Sequence, residues 1–391
     1  MTNPVTAVID PATASAEIDL AAFSRNVRAL AGHVAPAELM VVVKADAYGH
    51  GMMPCARTAR AAGASWLGVA TPGEARVLRE AGDTGRLFCW LFGEDEDLVA
   101  PIALDIDLGV HHPAQLSRVV AAAAAAGRIA RVHLKIDTGL SRNGCPPVLW
   151  DDLCSDARAA QEAGAVEVVA VWSHFAAADE PEHPANPMQI AAFHAAVDRA
   201  RAAGLAVPIR HLANSAAALG MPDARFELVR VGIAAYGVDP ADGELAEQAG
   251  VPLDPVMRLR AHLIATRAVA PGTAVSYGHR WAADDATVLG LVPLGYADGI
   301  PRAASGWGTE PGASVAVAGR RAPIAGTVCM DQFVVDLGPD AREEAGDEVT
   351  LFGGADSPSA SDWARVCRTI GYEIVTRIGN RVPRRYSGGA Q

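Results

Sequence analysis

The chain has 391 residues, of which 50% are hydrophobic, and its net charge is −12 at pH 7. This length allows two domains or a barrel with an appendage, and the apolar content excludes general disorder. The negative charge argues against nucleic acid or an anionic membrane as a partner. The six cysteines form no C-x-x-C pair, and no signal peptide or membrane-spanning run is present, so the sequence predicts a cytoplasmic protein.

The first predicted elements are a strand at residues 15–19 and an amphipathic helix at 20–33. From residue 39, short apolar runs alternate with helical stretches, such as 73–81, 113–127, 151–164 and 186–204. Eight of the apolar runs are predicted strands: 39–44, 66–70, 86–91, 103–108, 131–136, 168–173, 209–213 and 228–234. This α/β alternation is typical of a (β/α)8 TIM barrel. A doubly wound sheet is the alternative, but the strand count and the lack of a G-x-G-x-x-G motif favour the barrel.

The sequence changes character near residue 240. Residues 238–255 are a linker rich in Asp, Gly and Pro, and short apolar or alternating runs follow at 257–270, 287–293, 313–317, 333–337 and 348–352. This pattern predicts a mostly-β second domain with one helix at 361–370. We therefore divide the chain into a barrel domain at 1–240, which includes the N-terminal strand and helix, and a mostly-β domain at 241–391.

The chain contains only two lysines, Lys44 and Lys135, and each ends an apolar run. A charged ammonium at the end of a buried strand is costly unless something uses it. Desolvation lowers the pKa of a lysine and makes it an amine nucleophile that can capture an aldehyde. The alternative is a lysine that extends its charged head to water.

Further polar residues lie at or after the carboxyl ends of the predicted strands: Asp137, Thr138 and Arg142, His174, Asn214 and Ser215, and Arg230 with Gly232 and Ile233. In a TIM barrel these ends share one rim, and phosphate sites favour the loops after strands seven and eight. A reactive lysine opposite a phosphate site predicts pyridoxal phosphate. Each residue alone also has a structural interpretation, such as a core histidine, a rim ion pair or a helix N-cap. Their joint position on one rim favours the functional interpretation.

The chain resembles the bacterial alanine racemases, which are pyridoxal-phosphate enzymes of fold type III, over nearly its whole length. The similar segments are VKADAYGHG at 43–51, LKIDTGLSR at 134–142, SHFA at 173–176, ANSA at 213–216, RVGI at 230–233, SYG at 276–278, GYADG at 295–299, CMD at 329–331, YE at 372–373 and RVPR at 381–384. Asp46 stands where the family often has asparagine, and Ser141 stands at a variable position. Neither departure touches a residue that carries the chemistry.

The resemblance implies a homodimer in which the barrel of one subunit faces the β domain of the other. It implies pyridoxal 5'-phosphate held covalently by Lys44, with further cofactor contacts from Tyr48, His174, Asn214, Ser215, Arg230, Gly232, Ile233 and Tyr372. Of these, Arg230 would face the pyridine nitrogen. The substrate side would be formed by Arg142, Tyr296, Met330 and Asp331. Lys135 is carbamylated in many family members, and no metal is expected.

The implied reaction interconverts L- and D-alanine, which would supply D-alanine for peptidoglycan. Inversion needs two proton sites on opposite faces: Lys44 for the D enantiomer and Tyr277 of the partner subunit for the L enantiomer. A free phenol has a pKa of about 10, so we expect the His174–Arg230 link to assist it. Because arginine keeps its proton, the pyridine nitrogen would stay unprotonated, which favours racemisation over transamination.

Three alternatives remain open from the sequence. A basic-amino-acid decarboxylase shares the barrel-plus-β plan, but an acidic residue faces the pyridine nitrogen in that group, where this chain has Arg230. A non-catalytic cofactor-binding protein would not need the β domain that carries Tyr277 and Met330. The same chemistry on serine or another small amino acid depends on side-chain room that the sequence does not give.

Overall fold

The computed structural model describes residues 9–241, 243–308 and 310–389. Its first elements are strand β1 (Ala14–Asp19) and helix α1 (Leu20–Val34). Eight parallel strands then form one sheet: β2 Glu38–Val42, β3 Trp66–Val69, β4 Arg86–Cys89, β5 Asp107–Val110, β6 Ala130–Lys135, β7 Val166–Trp172, β8 Ile209–His211 and β9 Leu228–Val231. Their order is β8-β7-β6-β5-β4-β3-β2-β9. The Arg230 amide donates to the Ala213 carbonyl at 3.0 Å between the two outer strands, which closes the predicted barrel.

Helices connect the barrel strands: α3 Met52–Ala61, α4 Pro72–Glu80, α5 Val99–Ala103, α6 Pro113–Ala126, α7 Trp150–Glu162, α8 Ala185–Ala202 and α9 Ser215–Gly220. The segment before α3, α2 Lys44–Tyr48, is a single turn with left-handed backbone angles. Local sequence fixes several helix starts. Thr71 and Glu74 form a capping box at α4, with Pro72 as its first residue. No helix within the described ranges has the length and apolar character needed to cross a bilayer.

One predicted barrel strand, at 103–108, was wrong in position. Ala103 ends helix α5, Asp105 turns the chain with a φ of +54°, and the strand starts only at Asp107. A short apolar run does not by itself distinguish the end of a helix from the start of a strand. The other seven predicted strands lie at the observed positions to within a few residues.

The second domain is mostly β, as predicted. Its elements are α10 Glu244–Gln248, β10 Met257–His262, β11 Ala265–Val269, β12 Ala274–Val275, β13 Trp281–Ala282, β14 Thr287–Val292, β15 Ser314–Val317, β16 Arg320–Pro323, β17 Phe333–Gly338, β18 Glu348–Phe352, α11 Ala360–Cys367, α12 Gly371–Thr376 and β19 Arg384–Ser387. The run predicted at 257–270 is two strands. Residues 318 and 319, both with positive φ, make the two-residue turn from β15 to β16.

Strand β1 lies in the sheet of the second domain and not beside the barrel. The six-stranded sheet has the order β16-β15-β18-β10-β1-β19, and β1 pairs antiparallel with β10 and parallel with β19. The sequence analysis grouped this strand with the barrel because it precedes α1 in the chain. Its partners are more than 200 positions away, so only the folded chain assigns the strand to a sheet.

The interior of the barrel is filled mainly by large apolar side chains. One buried cluster contains Met40, Trp66, Phe88, Trp172 and Leu228. The buried imidazoles of His133 and His211 pack against the same rings. The barrel is therefore a packed core with its open side at the carboxyl ends of the strands.

Candidate active site

A cavity of about 510 Å³ lies at the carboxyl ends of the barrel strands. Its walls are Val42, Lys44, Tyr48, Ala70, Trp90, Leu91, Lys135, Arg142, Asn143, Trp172, His174, Asn214, Ser215, Arg230, Gly232, Ile233 and Tyr372. Four of these described lining residues carry cationic side chains and none is acidic. The cavity therefore suits an anionic ligand.

Lys44 stands two residues beyond the end of β2, at the start of a left-handed turn. The φ angles of Ala45, Asp46, Ala47 and Tyr48 lie between +52° and +55°. Non-glycine residues pay about 1–2 kcal/mol each for this conformation. Specific hydrogen bonds hold the turn: Glu74 accepts from the Ala45 amide at 2.7 Å, and Asp46 accepts from the Met52 amide at 2.6 Å. The strained turn brings both Lys44 and Tyr48 to the cavity.

The Lys44 ammonium is destabilised in this position. Burial is the main cause of its lowered pKa, and the positive charges of Arg142 and Arg230 lower it further, while Glu74 acts in the opposite direction. The Nζ atom lies 5.8 Å from the centre of the Trp90 ring and 6.0 Å from that of Tyr48. A larger fraction of free amine at neutral pH is the property that a nucleophilic lysine requires.

Hydroxyl and amide groups gather where the segments after β8 and β9 meet the Tyr48 side chain. Ser215, the first residue of α9, accepts from the Gly232 amide at 3.0 Å, and Asn214 caps the same helix through the Ala217 amide at 3.1 Å. A Cβ on Gly232 would lie 2.1 Å from the Tyr48 hydroxyl oxygen, so only glycine allows this approach. The Tyr372 ring lies 6.3 Å from that of Tyr48.

Burial raises the pKa of both Tyr48 and Tyr372, so these phenols remain hydrogen-bond donors. Two phenols, a serine hydroxyl and glycine-lined backbone form a donor-rich cradle that fits a phosphate group. The amine of Lys44 stands within the same cavity and fits an aldehyde. The described residues therefore match the two ends of pyridoxal 5'-phosphate.

Arg230 is 5% exposed, and both Nη atoms of its guanidinium donate hydrogen bonds. It donates to the carbonyls of Ser173, His211 and Leu212 at 2.9–3.1 Å, and to Nδ1 of His174 and of His211, both at 3.1 Å. Among the described residues, every acceptor of these hydrogen bonds is a carbonyl oxygen or an imidazole nitrogen, and none is a carboxylate. Burial lowers the pKa of Arg230 to about 9, so it remains cationic at neutral pH.

Another part of the cavity wall is formed by Lys135 together with Asn143 and Trp172. Lys135 Nζ donates to Asn143 Oδ1 at 2.9 Å and lies 4.4 Å from the centre of the Trp172 ring. Burial, followed by the charges of Arg230 and Arg142, lowers the pKa of Lys135 to about 7. Lys135 is therefore partly a free amine near neutral pH.

Four residues predicted for the site lie outside this cavity, on the second domain. Tyr277 is 74% exposed, Met330 53% and Tyr296 42%, and Asp331 accepts from Arg381 at 2.9 Å. The segments that carry them are linked, since the Tyr296 amide donates to the Cys329 carbonyl at 3.0 Å and Thr327 Oγ1 donates to the Tyr277 carbonyl at 3.1 Å. We call Tyr277, Tyr296, Met330 and Asp331 the β-domain patch. The predicted site residues therefore form two groups, one that lines the barrel cavity and one that forms the β-domain patch.

The sequence analysis missed several residues that form or support the cavity, among them Glu74, Trp90, Asn143 and Trp172. Asn143 follows Arg142 directly, and Trp172 lies inside the strand predicted at 168–173, so proximity in sequence could have suggested both. Glu74 supports Lys44 from another βα unit. Nothing in the local sequence indicates that contact.

Comparisons with known proteins agree over most of the chain. The family model for the alanine racemase N-terminal domain matches residues 18–240, and the model for the C-terminal domain matches residues 256–386. The alanine racemase of Frankia casuarinae is 50% identical over 95% of each chain, and that of Streptomyces coelicolor is 51% identical over 95% of each chain. The crystal structure of alanine racemase from D-cycloserine-producing Streptomyces lavendulae has a TM-score of 0.93 at 51% identity, covering 98% of this chain and 99% of that one.

The barrel, its cationic mouth and these matches define a pyridoxal 5'-phosphate-dependent enzyme. More narrowly, the chain belongs to the alanine racemase family, and its activity is that of an amino-acid racemase.

Proposed function

We propose that the chain interconverts L- and D-alanine with two proton-transfer residues, Lys44 and Tyr277 of the partner subunit. Support for the substrate comes from relatives named alanine racemase that are about half identical over at least 95% of the chain. The observation that carries the two-chain site is the location of Tyr277. It is 74% exposed on the second domain, away from the cavity that holds Lys44. A homodimer that turns the β-domain patch toward the partner's cavity would give each site one base on either side.

When bound, pyridoxal 5'-phosphate supplies an electron sink that weakens the Cα–H bond of the amino acid. Lys44, with its lowered pKa, takes or returns the proton on one face. We assign to Lys44 the exchange of the α-proton of D-alanine. On the other face, Tyr277 of the partner subunit exchanges the proton of L-alanine.

His174 and Arg230 are proposed to assist this tyrosine. Burial and the charge of Arg230 hold the pKa of His174 well below its usual value, so its ring is neutral. Its Nδ1 accepts from Arg230 at 3.1 Å, so the proton is on Nε2. An Nε2–H donor directed at the phenol oxygen would stabilise the phenolate form that a base requires. Arg230 itself, cationic at neutral pH, would keep the pyridine nitrogen unprotonated.

The remaining assignments belong to the same proposal. Cofactor contacts come from Tyr48, Asn214, Ser215, Gly232, Ile233 and Tyr372, all of which line the cavity. Arg142 orients the substrate carboxylate, with Met330, Asp331 and Tyr296 of the partner subunit at the access route. We also propose that the two domains meet near residue 240. The D-alanine that the chain produces is proposed to supply peptidoglycan synthesis. A cytoplasmic location is consistent with all six cysteines being free.

A carbamate on Lys135 is also proposed, because carbon dioxide reacts with a free amine and the pKa of Lys135 is lowered to about 7. The adduct would turn a cation into an anion beside Arg142. Intact-mass measurement in bicarbonate buffer tests it. The spectrum is recorded under native conditions at neutral pH, because acid releases carbon dioxide from a carbamate, and an unmodified mass in bicarbonate would then contradict the modification.

Subunit complementation tests the shared site. Lys44→Ala and Tyr277→Phe homodimers should each be nearly inactive. After co-refolding, random pairing should restore about a quarter of wild-type activity, since half of the dimers are mixed and each carries one complete site. No recovery in proven heterodimers would contradict the assignment of Tyr277 to the partner. Tyr277→Phe should also slow α-proton loss from L-alanine far more than from D-alanine, and equal losses would contradict the two-base scheme.

A substrate assay separates the remaining alternatives. Purified protein is incubated with L-alanine, L-serine and L-lysine, and the products are resolved on a chiral column. Inversion of alanine supports the proposal, and preferred inversion of serine would change the substrate. Loss of carbon dioxide from lysine would indicate the decarboxylase. The absence of a carboxylate near Arg230 among the described residues disfavours that outcome.

A further inference from the structure

Four buried polar side chains form a continuous line through the barrel interior. Asp107, His133 and His211 are 0% exposed and Arg230 is 5% exposed. Asp107 Oδ2 lies 3.2 Å from His133 Nε2, His133 Nδ1 lies 2.9 Å from His211 Nε2, and His211 Nδ1 lies 3.1 Å from Arg230 Nη1. We call these four residues the core relay.

The core relay joins the two ends of the barrel. Arg230 lines the cavity at the carboxyl ends of the strands, whereas Asp107 is the first residue of β5 at the opposite end. There, two arginines hold Asp107: Arg86 Nη2 lies 2.8 Å from Oδ2, and Arg131 Nε lies 2.6 Å from Oδ1. The carboxylate that terminates the line is therefore separated from the guanidinium by two imidazole rings.

The direction of every hydrogen bond in the core relay follows from the chemistry of its ends. Arginine can only donate, so His211 Nδ1 accepts and the His211 proton is on Nε2. That proton is donated to His133 Nδ1, which leaves the His133 proton on Nε2 to donate to Asp107. Both histidines are thus neutral, with the same tautomer. Adding a proton to either ring would place two donors face to face.

Burial and charge agree with this arrangement. Burial lowers the pKa of both His133 and His211, and Arg230 lowers that of His211 further. Burial alone would raise the pKa of Asp107, but the hydrogen bond from His133 and the charges of Arg86 and Arg131 hold it below its usual value. With Asp107 ionised at one end, Arg230 cationic at the other and both imidazoles neutral, every hydrogen bond of the core relay has one donor and one acceptor.

The walls of the core relay are aromatic. The Phe88 ring stacks on His133 with centroids 4.3 Å apart, and the Trp172 ring stacks on His211 with centroids 5.4 Å apart. In such apolar surroundings a polar group that loses its partner is expensive. Each link therefore constrains the orientation of the next ring.

We propose that Asp107 and His133 are positioning residues for Arg230, acting through His211 to fix the guanidinium edge that faces the cofactor ring. This inference rests on the proposed function, since it takes Arg230 as the partner of the pyridine nitrogen. The core relay orients the guanidinium without placing a carboxylate beside it. Arg230 thus keeps an unneutralised charge, which is what opposes protonation of the pyridine nitrogen.

The first experiment measures the two tautomers directly. The full-length protein is labelled with ¹⁵N in its histidine rings, and nitrogen shifts are recorded from pH 6 to 9 without and with pyridoxal phosphate. Signals that disappear in His133→Leu and His211→Leu assign the two rings. We expect both rings in the neutral Nε2–H form at every pH. An Nδ1–H tautomer, or protonation near pH 6.5, in either ring would overturn the proposal. This readout needs no activity, so a protein that fails to racemise alanine but shows these signals would contradict only the proposed function.

The second experiment compares two substitutions at His133. His133→Asn keeps an acceptor oxygen near the Nδ1 position, whereas His133→Leu removes it, and both lose the stacked ring. We expect pyridoxal phosphate to bind the leucine apoprotein up to about tenfold more weakly than wild type, as loss of one buried hydrogen bond between neutral groups predicts. The ratio of transamination to racemisation should rise by a similar factor, and the asparagine variant should stay within about threefold of wild type. Equal effects in both variants, at matched melting temperatures, would overturn the positioning role. If His133→Leu does not fold, the ring nitrogen shifts of the wild-type protein and of His133→Asn still test the proposal, because they report the tautomers of the histidines in the core relay.

Discussion

The carboxylate of Glu74 accepts a hydrogen bond from the amide of Ala45 at 2.7 Å, so a residue of α4 fixes the backbone directly after Lys44. The other carboxylate oxygen accepts from the amides of Ala70 and Thr71 at 2.8 and 3.2 Å. One side chain therefore connects the carboxyl ends of two neighbouring barrel strands.

Glu74→Ala should destabilise the left-handed turn. It leaves several backbone donors without a partner, at a cost of about 1–3 kcal/mol in the free energy of unfolding. Because the turn carries Lys44, pyridoxal phosphate should also bind the apoprotein more weakly. Urea unfolding and cofactor titration measure the two effects. Glu80→Ala, on the exposed end of the same helix, is the matched control and should change the free energy of unfolding by less than about 0.5 kcal/mol. An equal effect at both positions would refute the role of Glu74.

Ala45→Gly should stabilise the protein. Ala45 is exposed, and its φ of +53° is a conformation that glycine adopts at no steric cost. The change removes about 1–2 kcal/mol of backbone strain from the folded state. This gain is larger than the stability lost because glycine gives the unfolded chain more conformational freedom, so the melting temperature should rise. Ala121→Gly, at an exposed position within α6, should instead lower the free energy of unfolding by about 1 kcal/mol. Destabilisation by both changes would mean that the turn is not left-handed in solution.

Gly232→Ala should impair cofactor binding because the new Cβ would lie 2.1 Å from the Tyr48 hydroxyl oxygen. The tyrosine must move away, which disrupts the cradle. We expect at least tenfold weaker binding of pyridoxal phosphate, measured by titration of the apoprotein. The double variant with Tyr48→Phe removes the closest atom and should recover part of the loss. Gly32→Ala, in α1 with no atom within 4 Å of the added Cβ, serves as the control and should leave binding unchanged.

Lys135 should make the free energy of unfolding depend on pH. Its pKa is about 7 in the folded protein and 10.5 without burial, so between these values the unfolded chain binds a proton that the folded chain lacks. Stability therefore rises with pH across this window, by at most about 1.4 kcal/mol per pH unit. Lys135→Met lacks this contribution, so its advantage over wild type should be largest near pH 7 and shrink toward pH 10. Urea unfolding of both apoproteins in carbonate-free buffer measures the difference, and a constant gap would mean that Lys135 stays protonated.

Much of the fold was readable from the sequence because barrel strands are short apolar runs that repeat with helices between them. The shifted strand at β5 shows the limit, since the run near Ala103 fits the end of a helix as well as a strand. The short strands β12, β13, β16 and β19 were not predicted. β12 and β13 have two residues each and β16 has four, too few to show an alternating pattern, and β19 pairs with the distant β1.

The candidate site, too, could be predicted only in part from the sequence. Lys44, His174, Ser215 and Arg230 could be predicted because a barrel brings all strand ends to one rim. The sequence could not show how these groups are held. The left-handed turn at Ala45 depends on Glu74 from another βα unit.

By itself, the sequence determined the alternation that makes a barrel, the mostly-β second domain and the two lysines that end apolar runs, because periodicity and residue type act over a few neighbouring positions. Only the tertiary structure decided that β1 joins the sheet of the second domain, that Tyr277 is exposed away from Lys44, and that a buried line connects Asp107 to Arg230. These relationships join residues far apart in the chain, and they exist only once packing has excluded water and left each buried polar group to find its partners within the protein.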